Sequence, residues 1–265
     1  MFAVKDFLKE LKSNRKKLIL TAVAIISSVV LIASLISIIK IFTPPAKIKE
    51  IQDIASKPVT VIKPDGNELI IPIDFESLCE VNSDIYAWIS IPEIGVDYPI
   101  LRSAQEDFYL THDFEKKTSA YGALYTQSYN ADTFSDFNTV IYGHNMINGS
   151  MFGSLKKYRN KEFFDQNEHI FIYTPNRILK YRIFAAYTFD DRHLLLSYDF
   201  ANTEQRKEYI NSIMQGEFGG NIRNEAELTE NSQIITLSTC AAKDDERFLV
   251  QAVLVSDSDF TTTNN

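Results

Sequence analysis

The longest apolar stretch of the chain lies near its N-terminus. Residues 18–39, LILTAVAIISSVVLIASLISII, contain no charged side chain. At about 1.5 Å of rise per helical residue, this stretch spans roughly 30 Å, the thickness of the hydrocarbon core of a bilayer. The pattern therefore predicts one transmembrane helix, which we place at residues 18–42.

Shorter apolar runs follow in the second part of the chain. They are rich in Ile, Val, Tyr and Phe and are bounded by Gly, Pro, Asn or Asp. This pattern is typical of an antiparallel β core or barrel. The predicted strands are 95–101, 121–126, 138–144, 169–174, 178–189, 233–240 and 247–256.

Two segments have helical spacing instead. Residues 75–88 predict a helix whose apolar face includes Cys79 as a small core residue. Residues 202–217 predict a second helix, which begins at a capping Asn202 or Thr203. Helices interrupt the strands rather than alternate with them, so we expect a mostly β fold.

These patterns divide the chain into five parts. Between the membrane segment and the first helix, Pro, Lys and short apolar runs are mixed, as in a linker. The predicted parts are an N-terminal segment 1–17, a membrane anchor 18–42, a juxtamembrane stalk 43–69, a compact domain 70–258 and a tail 259–265.

The charges beside the apolar stretch predict its orientation. Lys12, Arg15, Lys16 and Lys17 precede it, whereas Lys40 stands nearly alone after it. The positive-inside rule then keeps the N-terminus in the cytoplasm and the compact domain outside. The alternative is a cleaved signal peptide, although the apolar core of such peptides usually spans only about 7–15 residues.

The charge of the predicted outer domain limits its partners. The first 17 residues carry six basic side chains against Asp6 and Glu10, a net +4, so the chain total of −8 leaves −12 for the remainder. An acidic domain argues against a nucleic-acid partner.

The chain has two cysteines, Cys79 and Cys240. Outside the cell they could form a disulfide. If Cys79 is a core residue instead, Cys240 is an unpaired thiol, and a thiol becomes a nucleophile when a base or a cation favours its thiolate form.

Four histidines could serve as that base. His112 and His193 lie in polar loops, and His169 begins an apolar strand. His144 differs because it follows a predicted strand and Gly143, where the chain can turn and another group can approach closely. The chain has no C-x-x-C or H-x-x-x-H spacing, so a zinc site is not expected.

Arg247 opens the last predicted strand, seven residues after Cys240. If the last two strands are neighbours, the guanidinium lies beside the thiol. The alternative is a surface arginine that pairs with one of the three acidic residues before it, Asp244, Asp245 or Glu246.

The motif TLSTC at 236–240, the later arginine and the upstream YGHNM at 142–146 resemble the sortase family of cysteine transpeptidases. The resemblance covers nearly all of residues 75–256. The inserted helix before the last strands, the N-terminal helical segment and the serine of TLSTC resemble class B. The resemblance implies a closed, eight-stranded sortase β-barrel with N-terminal helices.

The same resemblance implies a catalytic set of His144, Cys240 and Arg247. Cys240 would attack the carbonyl of a threonine in a sorting pentapeptide, His144 would protonate the leaving amide, and Arg247 would bind the oxyanion or substrate carbonyls. An amine of peptidoglycan or lipid II would then resolve the thioester. No metal or organic cofactor is required.

The implied substrates are surface proteins with a C-terminal sorting motif. Positions that match substrate-groove segments of the family are Leu110, Tyr142, Leu196 and Ser238. Glu106 and Ala241 depart from residues seen in some relatives, which leaves the sorting motif open. A membrane-anchored thiol protease and a ligand-binding domain with a buried Cys240 are the alternatives.

Overall fold

A computed structural model describes residues 2–42, 46–63, 66–240 and 246–258 of the chain. The helices are α1 Phe2–Phe42, α2 Ala46–Ala55, α3 Phe75–Val81, α4 Lys161–Gln166, α5 Leu194–Ser197 and α6 Thr203–Met214. The strands are β1 Val59–Ile62, β2 Glu68–Ile71, β3 Ile85–Ile91, β4 Val96–Leu101, β5 Leu124–Tyr125, β6 Asn138–Tyr142, β7 His169–Tyr173, β8 Ile178–Asp190, β9 Asn221–Ile222, β10 Ile234–Cys240 and β11 Glu246–Asp257.

The N-terminal helix α1 forms a compact unit of its own. Its segment Ile19–Ile36 is long and apolar enough to cross a membrane. This agrees with the predicted span. The predicted tail 259–265 lies outside the described residues.

Eight strands form a closed barrel in the second unit. Their order is β11-β10-β6-β5-β4-β3-β7-β8, and pairing of β8 with β11 closes the ring. The two-residue strand β9 adds to β8 outside the ring. The pairs β6–β10 and β4–β5 are parallel, so the predicted antiparallel pairing was wrong at these two places. Parallel neighbours require a crossover, and the one between β6 and β10 contains α4, α5 and α6.

Alternate residues of β10 face opposite sides of the barrel wall. Ile235 and Leu237 are buried in the interior cluster, whereas Ile234 is buried in a second cluster outside the wall. Tyr209 and Ile213 of α6 belong to that outer cluster. Asn202 caps this helix by accepting hydrogen bonds from the backbone amides of residues 204 and 205, which confirms one of the two predicted caps.

The predicted helix over residues 75–88 was wrong in its second half. The helix α3 ends at Val81, because Asn82 adopts an extended backbone and its side chain donates to the Tyr109 hydroxyl and the Phe114 carbonyl at 2.8 Å each. The chain then enters strand β3. Cys79 is exposed rather than part of the core, and its thiol is free, contrary to the alternative of a Cys79–Cys240 disulfide.

The segment predicted as a stalk contains regular structure. The helix α2 and the strand β1 lie within it, and β2, which pairs with β1, begins there and ends at Ile71. Ile51 and Ala55 of α2 are each only 1% exposed. Both pack in the same cluster as Trp88 of the barrel. The described part of the compact unit therefore begins at residue 46 rather than near residue 70.

The exposure of Cys79 leads to a prediction. We expect Cys79→Ser to change the free energy of unfolding by less than about 0.5 kcal/mol, because an exposed side chain leaves no cavity when it is replaced. Iodoacetamide should alkylate Cys79 in the native protein, as mass spectrometry of a tryptic digest would show. Protection of this thiol until the domain unfolds would contradict its exposure.

Candidate active site

Three adjacent strands bring the candidate catalytic residues to one edge of the barrel. In the parallel pair β6–β10, Tyr142 lies opposite Ser238, and the Gly143 amide donates to the Ser238 carbonyl at 3.1 Å. His144 and Cys240 each follow two residues later, so they lie at the carboxyl ends of neighbouring parallel strands. In the antiparallel pair β10–β11, Cys240 lies directly opposite Arg247. The backbone register thus aligns all three positions, with Cys240 in the middle.

The imidazole of His144 is held by a backbone carbonyl. Its Nε2 lies 2.7 Å from the carbonyl oxygen of Leu110, an acceptor, so Nε2 must carry the proton. In the neutral ring, Nδ1 is then unprotonated and able to accept a proton. The hydrogen bond therefore selects the tautomer as well as the orientation of the ring.

Two glycines, Gly122 and Gly143, allow neighbouring groups to pack closely around His144. Gly122 has a φ of +57°, and a Cβ added there would lie 2.5 Å from the Tyr109 carbonyl oxygen, 2.9 Å from that of Leu110 and 3.1 Å from Cδ2 of His144. A Cβ on Gly143 would overlap the side chains of Leu124 and Phe152. A larger residue at position 122 would displace the Tyr109 and Leu110 carbonyls or the His144 ring, and one at position 143 would displace the strand end that carries His144 or the side chains packed against it.

A cavity of about 200 Å³ opens beside His144 on the outer face of the barrel. Strand residues of one face and two loops form its walls. The lining residues are Asp107, Leu110, Tyr125, Gln127, Val140, Tyr142, Gly143, His144, Phe189, Asp191, Arg192, His193, Leu194, Ser238, Arg247 and Leu249.

The cavity brings together most of the residues predicted for the site. His144, Arg247, Leu110, Tyr142 and Ser238 line it. Leu196 does not line it; its side chain is 64% exposed on α5, and Leu194 lines the cavity instead. Cys240 is placed by its backbone register, and its side chain lies outside the described part of the structure. Ala241, Asp244 and Asp245 also lie outside it.

Sequence reasoning missed a polar network among residues that line the same cavity. Oδ1 of Asp107 accepts hydrogen bonds from the Tyr125 hydroxyl and from Nε2 of Gln127, both at 2.9 Å. Oε1 of Gln127 in turn lies 2.6 Å from Nε2 of His193. These residues are dispersed in polar loops and a two-residue strand. The one local feature of the sequence that could have indicated the network is the charged segment before Leu110.

The phenol of Tyr142 lines the cavity and is subject to charges of both signs. Burial raises the pKa of Tyr142, the carboxylates of Asp107 and Glu106 raise it further, and Arg247 acts in the opposite direction. Its hydroxyl is buried and has no hydrogen-bond partner among the described residues. A neutral phenol here can donate to or accept from a bound ligand.

The described residues do not bring together three or more His, Cys, Asp or Glu side chains in an arrangement that could hold a metal ion. The chemistry available at this edge is that of a thiol, an imidazole and a guanidinium. Arg247 donates through Nη1 to the Glu246 carbonyl at 3.2 Å and also lines the cavity.

The chain is similar in sequence and fold to known proteins. The sortase domain family model matches residues 89–255. Sortase B of Listeria monocytogenes is 30% identical over 187 residues, which cover 69% of this chain and 74% of that protein. A crystal structure of sortase B from B. anthracis superposes with a TM-score of 0.69 at 26% identity, covering 81% of this chain and 99% of that one. A class B sortase of Streptococcus pyogenes involved in pilus biogenesis superposes with a TM-score of 0.60 at 31% identity, covering 69% and 98%.

The packing around Gly122 leads to a prediction. Gly122→Ala should destabilise the fold by more than the roughly 1–2 kcal/mol that its left-handed backbone alone costs, because its new methyl group would also overlap the Tyr109 carbonyl oxygen. The same methyl group should shift the ¹⁵N resonances of the His144 ring. Gly95→Ala is the matched control, because Gly95 has a φ of +69° but no atom within 4 Å of an added Cβ. Urea unfolding and NMR would compare the two variants. Unchanged His144 resonances in Gly122→Ala would contradict the close contact.

Proposed function

Because the chain belongs to the sortase family and is a transpeptidase most similar to class B members, we propose that it joins surface proteins to the cell wall through a thioester on Cys240. The observation that carries the proposal is the alignment of His144, Cys240 and Arg247 across three neighbouring strands. A thiol, a base and a cationic donor in one row are the groups that acyl transfer from a peptide requires.

In the first step, the Cys240 thiolate attacks the carbonyl carbon of a threonine in the sorting pentapeptide. The C–S bond forms, and the carbonyl electron pair moves to oxygen. When the tetrahedral intermediate collapses, the C–N bond breaks and the leaving nitrogen takes a proton from the His144 imidazolium. Since Nε2 is bound to the Leu110 carbonyl, we assign this proton to Nδ1.

In the second step, an amine of peptidoglycan or lipid II attacks the thioester carbonyl. His144 accepts the proton of the attacking amine, the new amide bond forms, and the Cys240 thiolate is released. One amide is exchanged for another, so the step needs no external energy source. Water in place of the amine would make the enzyme a protease, and the products distinguish the two outcomes.

The guanidinium of Arg247 would stabilise the charge that develops on the carbonyl oxygen. Its fixed charge and forked donors can bind an oxyanion and a neighbouring peptide carbonyl together. Leu110, Tyr142 and Ser238 are proposed to contact the pentapeptide because they line the same cavity. A contact between Leu196, at the exposed surface of α5, and the pentapeptide stays a prediction.

The acidic residues before Leu110 suggest one feature of the sorting motif. Glu106 accepts hydrogen bonds from the backbone and side chain of Ser128, whereas the carboxylate of Asp107 lines the cavity. We expect the preferred pentapeptide to present a hydrogen-bond donor or a cation to Asp107.

We further propose that α1 anchors the enzyme in the cell membrane, with its N-terminus in the cytoplasm and the barrel outside. Support comes from its apolar segment and from the basic residues before that segment. In that location the barrel would meet both the surface protein and the amine acceptor.

A pentapeptide library provides the test of the thioester. We expect the enzyme with Cys79→Ser, which removes the other thiol, to gain the mass of the amino-terminal peptide fragment on Cys240. Cys240→Ala in the same background should form no adduct and should unfold at the same temperature. Intact-protein mass spectrometry measures the adduct. Peptide cleavage by the Cys240→Ala variant would contradict the assigned nucleophile.

Arg247→Lys tests the forked donor. This change keeps the positive charge but removes the planar guanidinium, so the acylation rate should fall by roughly 10²-fold, the scale for losing one oxyanion donor. If the arginine only formed an exposed ion pair, worth about 0–1 kcal/mol, lysine would replace it almost freely. Rapid-quench measurement of acylation, with melting temperature as the folding control, separates the two cases.

A further inference from the structure

The helix α2 is docked on the barrel by both apolar and polar contacts. Its residues Ile51 and Ala55 are buried against the barrel cluster. Gln52 donates through Nε2 to the Asp97 carbonyl in β4 at 2.8 Å. The helix therefore has a defined place on the catalytic unit, from which its other side chains can act.

Lys47, in the first turn of α2, reaches a loop of the barrel. Its ammonium group lies 3.1 Å from Oδ2 of Asp113 and also donates to Glu115. The hydrogen bond with Glu115 and that with Asp113 raise the pKa of Lys47, so the ammonium form is maintained. Lys47 thus connects α2 to two neighbouring carboxylates of one loop.

Asp113 organises the loop that Lys47 contacts. Its second oxygen, Oδ1, accepts hydrogen bonds from the backbone amides of Glu115 and Lys117, both at 3.0 Å. The Ser119 amide donates to the Thr111 carbonyl at 2.8 Å and closes the loop at its base. A contact that fixes the position of the Asp113 carboxylate therefore also stabilises the conformation of residues 111–119.

The base of this loop is the segment that orients the active-site histidine. Leu110, which precedes the loop, supplies the carbonyl oxygen bound by Nε2 of His144. After the loop, Gly122 packs against the carbonyls of Tyr109 and Leu110 and against the His144 ring. A displacement of the loop would therefore move both the Leu110 carbonyl and Gly122, the two groups that contact the His144 ring.

We propose that Lys47 is a positioning residue of the active site: through Asp113 and Glu115 it holds the loop 111–119, and thereby the Leu110 carbonyl that orients His144. The helix α2 then contributes to the geometry of the active site without contacting the reacting atoms. The inference rests on the proposed role of His144 in acyl transfer. It implies that loss of the Lys47 contact slows the proton-transfer steps more than it weakens peptide binding.

Lys47→Met tests this inference, because it removes the ammonium group and retains most of the aliphatic chain. We expect kcat for acyl transfer to fall about fivefold, the rate equivalent of about 1 kcal/mol, with KM changed less than twofold. Lys47→Arg should recover most of the rate. Lys49→Met is the matched control, since Lys49 lies two residues along the same helix with an exposed side chain, and it should behave as the wild type.

NMR of the His144 ring separates positioning from a general effect on stability. In Lys47→Met the ¹⁵N resonance of Nε2 should move towards that of a ring that exchanges between tautomers, while the melting temperature stays close to that of Lys49→Met. A wild-type rate in Lys47→Met, or a slow variant with unchanged His144 resonances, would overturn the inference. If the wild type and Lys49→Met also fail to acylate Cys240, the proposed function itself is wrong.

Discussion

The pairing of β10 with two different neighbours is the constraint on which the site depends. β10 runs parallel to β6, so both strands end at the same edge of the barrel, and antiparallel to β11, which begins there. A slip of one residue would turn Leu237 out of the interior and move Cys240 out of line with its partners. The packing of the barrel core therefore also maintains the alignment of the candidate catalytic residues.

Strand register brings the residues together, but it does not orient their side chains. For His144, the orientation comes from the Leu110 carbonyl, which selects one tautomer, and from Gly122, which leaves room for the ring. Lys47 is proposed to be a third determinant of this orientation, through its contact with loop 111–119. Substitution of a residue that only orients His144 can therefore lower activity although every reacting group is still present, because proton transfer depends on the geometry of the ring.

The lining of the cavity carries charges of both signs. Arg247 lies on the last strand and Asp107 lies in the segment before Leu110, and both charges act on the pKa of the Tyr142 phenol. A peptide bound here would direct carbonyl oxygens towards the cation and hydrogen-bond donors towards the carboxylate. This complementarity offers a physical basis for selecting the direction of the peptide as well as its sequence.

Local pattern alone was sufficient for the cap at Asn202, the apolar N-terminal helix and most of the predicted strands, because the spacing of apolar side chains directly reflects which face of an element is buried. It missed the strands β1, β2, β3 and β9, and of residues 121–126 only Leu124–Tyr125 form a strand. It was insufficient for residues 75–88, where a polar turn at Asn82 ends the helix, and for Cys79, whose exposure depends on which surface is left uncovered. The network of Asp107, Gln127 and His193 and the contact of Lys47 with its loop join residues far apart in the chain. The parallel pairing of β6 with β10 likewise joins segments nearly a hundred residues apart. Only the closed barrel decides such contacts, because they arise from the packing of whole elements and leave no periodic signal in the sequence.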